Sequence, residues 1–195
     1  MSEPLPPRWA DRLLRIAVRP ADRDAISGDL IEEYRDRIVP LRGRWAADCW
    51  YVVQMLGYVW RAAGLWAVVF SGVFLTRTAY DWLVPTTEFV TRSTVTTILA
   101  AGTLSTAGFV AAWRHRSVVS AVLLTVITSQ LAAVLSVLGV TAMLIVWHDD
   151  ATARAINGSG GLAEAFTLPF SMIVPAVVLG ALGGACGSVV RTIVR

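Results

Sequence analysis

Residues 118–147 read VVSAVLLTVITSQLAAVLSVLGVTAMLIVW, with no charged side chain from Val118 to Trp147. A bilayer core of roughly 30 Å is crossed by about 20 helical residues. The stretch Ser117–Trp147 is longer than that, which predicts a helix that tilts or projects from the membrane. Three other stretches share its character. No charge falls between Ala165 and Val190, none between Thr94 and Trp113, and a shorter apolar run lies between Arg61 and Arg77. The predicted spans are 62–84, 93–113, 117–147 and 166–190. The fold class is therefore all-α: an integral membrane protein with four transmembrane helices in residues 62–195, preceded by a small cytoplasmic, partly interfacial helical module in residues 1–61.

Composition points the same way. Hydrophobic residues make up 55% of the 195 and charged residues only 16%, too little polar surface for a water-soluble chain of this length. All 17 basic residues are arginine, a bias that fits a GC-rich bacterial genome. The net charge of +3 is too small to argue for nucleic acid as a partner. Residues 1–44 hold nine arginines and eight acids and no long apolar core, so the start does not read as a signal peptide.

Arginine placement sets the expected orientation. The turn Arg114-His115-Arg116 and the end of the chain, with Arg191 and Arg195, are basic, whereas 148–165 holds Asp149, Asp150 and Glu164 against Arg154. Arginine-rich loops face the cytoplasm. Both termini are therefore expected there, in a bacterial inner membrane, with 78–92 and 148–165 facing outward. Trp60, Trp66 and Trp113 are expected near the inner boundary, Trp82 and Trp147 near the outer one. Cys49 and Cys186 fall on the cytoplasmic side, where thiols stay reduced. Arg61 and Arg77 read as interfacial anchors that snorkel to opposite boundaries, and Arg77 can pair with Asp81 four residues on.

In the module, a first helix opens after Pro6-Pro7 with Trp9, Leu13, Ile16 and Ala17 on one face, and Arg19-Pro20 ends it. A second starts near Pro20 and carries Ile26, Leu30, Tyr34 and Ile38 as a stripe. Gly28 within it either lets the first helix pack closely or is simply tolerated. After a break at Pro40–Gly43, a third helix runs from Trp45 toward the first span, its aromatics resting in the inner interface.

The run Pro6-Pro7-Arg8-Trp9-Ala10-Asp11-Arg12-Leu13-Leu14-Arg15, then Arg23, then Gly28-Asp29-Leu30-Ile31-Glu32-Glu33-Tyr34, resembles the permease prefix domain. That module precedes the membrane part of bacterial ABC-type permeases related to the macrolide exporters, and it occurs in short stand-alone membrane proteins. The resemblance covers about residues 6–61. It implies association with a transport system, and the absence of a large extracytoplasmic domain before the chain ends at 195 implies that the chain does not itself transport.

Chemistry-bearing constellations are few. Without lysine there is no P-loop ATPase motif. His148-Asp149-Asp150 reads as a solvated helix end in preference to a metal site, Gly158-Ser159-Gly160-Gly161 as a flexible outward loop, and His115 as a surface residue at lipid headgroups. Asp29, Glu32, Glu33 and Asp36 form an acidic stripe, read either as a solvated face or as a docking face for a partner. No ionisable residue lies mid-span in the last three spans, which argues against a proton-coupled carrier. Gln130 needs a partner on another span or another copy. Gly180, Gly183, Gly184 and Gly187 make overlapping GxxxG patterns that serve either packing within the bundle or a subunit interface. The expectation is a non-enzymatic accessory or regulatory protein with no cofactor and no metal. Its partners would be membrane lipid and a permease or cytoplasmic protein; a small homo-oligomeric transporter or channel is the alternative.

Overall fold

The computed structural model describes residues 4–84, 89–158 and 161–194. Among them the chain is all helix and turn, with no strand. It divides into two compact units, Met1–Gly64 and Leu65–Arg195.

In the first unit, α1 (Arg8–Ala17) starts behind Pro7 at its N-cap, and α2 covers Arg23–Glu33. A single π-helical turn, Tyr34–Ile38, leads into α3 (Val39–Leu83). Gly43, at φ 77 and ψ 166, kinks α3 near its start. This backbone conformation is open to glycine and strained for other residues, so the predicted break at Pro40–Gly43 is a kink at one residue. The second helix begins three residues later than Pro20. The buried face of α1 is Ala10, Leu14 and Ala17, while Trp9 is 54% exposed. Of the expected face of Trp9, Leu13, Ile16 and Ala17, Ala17 is buried, and the rest of the buried face is turned by one residue, with Asp11 accepting hydrogen bonds within the unit as described below. With Tyr34, Ile38, Ala47, Tyr51 and Met55 these residues form the core of the unit. Gly28 is exposed with open space around its missing Cβ; no close approach in the unit depends on it.

In the second unit, α3 continues to Leu83, followed by α4 (Phe89–His115), α5 (Val118–Val146), α6 (Asp150–Gly158), α7 (Gly161–Ser171) and α8 (Ile173–Ile193). Four of these helices are long and apolar enough to cross a membrane: α3, α4, α5 and α8. Their outer faces stay apolar. Val90, Ile98, Leu138 and Val174 are each more than 60% exposed, a surface suited to lipid. The core joins Phe70 and Phe74 of α3, Ala100 and Leu104 of α4, Ala132 of α5 and Ala176 of α8.

Two details depart from the sequence reading. The predicted fourth span at 166–190 is two helices that meet at Met172, with Pro169 inside α7 and Pro175 in the first turn of α8, where a missing backbone N–H costs nothing. The segment 148–165 is largely helical. Asp149 accepts from the backbone N–H of Thr152 at 2.8 Å and from its hydroxyl at 3.1 Å, starting α6. Ile156 of α6 then packs with Trp82 and Val140, so Trp82, 5% exposed, is a core residue and not part of an aromatic belt. Ser159 and Gly160 of the expected flexible loop lie outside the described residues.

Candidate functional site

Three places bring chemistry-bearing residues together: a polar hub in the N-terminal unit, a small-residue seam in the bundle, and a charged cluster where α3 meets α4.

The hub centres on Asp11. Its Oδ1 accepts from the Ser27 hydroxyl at 2.7 Å and from the Tyr51 hydroxyl at 3.1 Å, and its Oδ2 from Arg15 Nε at 3.2 Å. Nearby, the Tyr34 hydroxyl donates to Asp48 at 2.6 Å, and the two tyrosine rings meet edge to face at 6.0 Å. These bonds tie α1, α2 and α3 of this unit by side chains that leave each carboxylate satisfied. Burial first, and then the neighbouring Asp48, push the Tyr34 hydroxyl up to about 12; burial and Asp11 raise Tyr51 as well. None of Asp11, Ser27 or Asp48 was singled out from sequence. Their partners are 14 to 40 residues away, so the signal is non-local.

The acidic stripe lies on α2 and the π turn. Asp29, Glu32 and Asp36 are exposed and Glu33 is half-buried. Glu33 pairs with Arg37 at 3.3 Å and Asp36 with Arg35 at 2.6 Å. The Arg35 hydrogen bond holds the Asp36 carboxyl below the usual range. The stripe is thus partly neutralised by its own helix at its C-terminal end and more strongly acidic toward Asp29 and Glu32.

The glycines of α8 sit inside the bundle. A Cβ at Gly183 would overlap the Ser105 carbonyl oxygen of α4, and one at Gly187 would lie 2.7 Å from the Phe109 carbonyl oxygen. On the facing helix, Gly108 is equally tight: a Cβ there would lie 2.8 Å from the Gly180 oxygen. Gly180 and Gly184 also meet α5 at Thr125 and Ala121. All four are buried in this packing. Gly108 was not foreseen, although it supplies the other half of the α4–α8 contact. Arg191 Nη1 closes the α4 end by donating to the Trp113 carbonyl at 2.6 Å.

Polar side chains in the spans mostly bond their own helices. Thr125 and Thr128 donate to the carbonyls of Ala121 and Leu124, each at 2.8 Å, and Ser129 donates to that of Val126. Gln130 donates from Nε2 to Ser129 Oγ at 3.3 Å, so its partner is its own neighbour and not another span. His115, expected on the surface, is 5% exposed. It shares the inward face of the last turn of α4 with Ala111 and Ala112.

The charged cluster joins α3 and α4. Asp81 takes Arg77 Nε at 3.4 Å and Arg92 Nη1 at 2.7 Å, and the Arg92 guanidinium lies 5.3 Å from the centre of the Tyr80 ring. The Arg77–Asp81 spacing was legible; the role of Arg92 was not, because it depends on how the chain turns between the helices. Two cavities flank the cluster. One of about 530 Å³ runs along α3 and α4 over Val69, Gly72, Val73, Val95 and Leu99, with Arg77 and Arg92 in its wall. The other, about 400 Å³, is lined by Phe74, Arg77, Thr96, Leu104, Met172 and Leu179.

No group of His, Cys, Asp and Glu suited to a metal ion occurs among the described residues. Cys49 and Cys186 are free thiols. Fold and site together define a multi-pass, all-α membrane protein with an N-terminal helical unit. Comparison with family models, curated proteins and solved structures finds no match.

Proposed function

We propose that this chain is a non-enzymatic accessory or regulatory protein of a bacterial inner membrane, its termini cytoplasmic, whose N-terminal unit docks a protein of an ABC-type permease system. The observation that carries this reading is the N-terminal unit itself. It has its own core and a polar hub, and it leaves Asp29, Glu32 and Asp36 exposed along one side. Asp29 and Glu32 make no contribution to the hub and are available to a basic partner surface, where they would set specificity and association rate, with the Asp36–Arg35 pair beside them. The likeness of residues 6–61 to a permease prefix domain supports a permease as that partner.

The alternative, a small oligomeric transporter or channel, draws on the α8 glycines and Gln130. The glycines pack against α4 and α5 of the same chain, and Gln130 bonds Ser129. The docking reading therefore has the stronger support.

Photo-crosslinking of the full-length protein in membranes, with the reactive residue at exposed Gly28, tests it. The expected product is a covalent adduct with a permease subunit that disappears in the triple variant Asp29→Asn, Glu32→Gln, Asp36→Asn. An adduct unaffected by that variant, or none with any permease, would overturn the reading.

A further inference from the structure

The larger cavity has an arrangement that the docking reading does not use. Its lining is apolar at Val69, Val73, Val95 and Leu99, and Gly72 lines it beside them. A Cβ at Gly72 would meet nothing within 4 Å, so this mid-helix glycine leaves open space without serving any close contact. That is unlike the glycines of α8, each of which has a neighbour against it. One end of the cavity is cationic. Arg77 and Arg92 stand there, and both bond the Asp81 carboxylate. Arg77 is six residues before the end of α3 and Arg92 three residues after the start of α4. At 1.5 Å per residue both lie within about 9 Å of the helix ends, at the depth where arginine reaches headgroups.

We propose that this groove binds a glycerophospholipid, with one acyl chain lying over Gly72 and its phosphodiester against Arg77 and Arg92. A guanidinium presents a planar fork of five donors that matches phosphate geometry. It can remain paired with the carboxylate that orients it while another edge receives the phosphate. Asp81 and the Tyr80 ring fix the Arg92 plane in advance, which lowers the ordering cost of binding. The cavity volume of about 530 Å³ falls within the range of small-molecule pockets, about 300–1,000 Å³. The apolar wall and the cationic end together call for an amphiphile, which a free anion or a headless lipid satisfies only in part. The proposal is independent of any partner of the N-terminal unit.

Native mass spectrometry of the full-length protein in a mild detergent tests it, with phosphatidylglycerol, a diacylglycerol of matched chains, and inorganic phosphate as probes. Phosphatidylglycerol should be retained about tenfold better than diacylglycerol, the size of effect that one charge-assisted hydrogen bond supplies. Arg92→Gln should weaken that retention by about tenfold. Gly72→Phe fills the groove where space is open, so it should remove the lipid adduct while helicity and melting are kept. Inorganic phosphate should not displace the lipid. Equal retention of the two lipids, lipid binding that survives Gly72→Phe, or displacement by inorganic phosphate would each overturn the proposal.

Discussion

In the N-terminal unit the decisive contacts run from hydroxyl to carboxylate: Ser27 and Tyr51 to Asp11, and Tyr34 to Asp48. In the bundle they run from backbone to glycine, with Gly108, Gly183 and Gly187 admitting the main chain of a neighbouring helix, and most hydroxyls there turn back on their own helix. The surrounding medium accounts for the difference. In water, burying apolar surface drives a small unit together, and satisfied polar pairs then fix which helix faces which. In lipid, association has no such drive, so close van der Waals approach between small residues carries the packing.

The comparison can be broken most severely in the bundle. Gly183→Leu places a side chain where the Ser105 carbonyl lies. It should destabilise the α4–α8 contact by about 3 kcal/mol or more, read as a lower denaturant midpoint by circular dichroism in detergent, and it should leave the N-terminal unit unchanged. Asp11→Ala does the reverse. It strands the Ser27 and Tyr51 hydroxyls at a cost of about 2 kcal/mol, and limited proteolysis should then cut within residues 1–64 while α4, α5 and α8 stay intact. If Asp11→Ala loosens both regions equally, the two are not held separately.

A pH titration sharpens the same contrast. The Tyr34 hydroxyl, pushed up to about 12 from its ordinary 10, is favoured in its neutral form by folding. Its contribution is therefore fully present below pH 10 and is lost as pH rises from 10 through 12, an effect of up to about 2 kcal/mol. Protease susceptibility of the N-terminal unit should rise across that window, with no comparable change in wild-type bundle fragments. The smallest effect has the opposite sign. Gly28 lies in helical backbone with open space beside it, so Gly28→Ala should stabilise the unit by about 0.5–1 kcal/mol.

How much was legible follows from range in sequence. The third span at 117–147 and the helix observed at Val118–Val146 agree closely, because an uninterrupted apolar run carries its own signal. The GxxxG spacing marked α8 as a packing face in the same way. Inside the apolar run 166–190 hydropathy does not register a change of helix axis, and Pro169 and Pro175, residues that bend or start a helix, were the legible signal for the break at Met172. α6 escaped notice because it is only nine residues long and polar on average, so it resembles a loop; Asp149 three positions before Thr152 was the signal. The Asp11 hub and the place of Arg92 were illegible for another reason. A carboxylate among arginines reads as solvated, and only tertiary contacts over 11 to 40 residues show otherwise.

The account rests on lipid surrounding the second unit and water surrounding the first. Spin labels at Leu138→Cys, on the exposed face of α5, and at Asp29→Cys, on α2, test this directly in a Cys49→Ser, Cys186→Ser background reconstituted into bilayers. The prediction is that the Leu138 label relaxes with oxygen and is shielded from a water-soluble nickel chelate, while the Asp29 label shows the reverse. Equal access of the nickel chelate to both labels would contradict it.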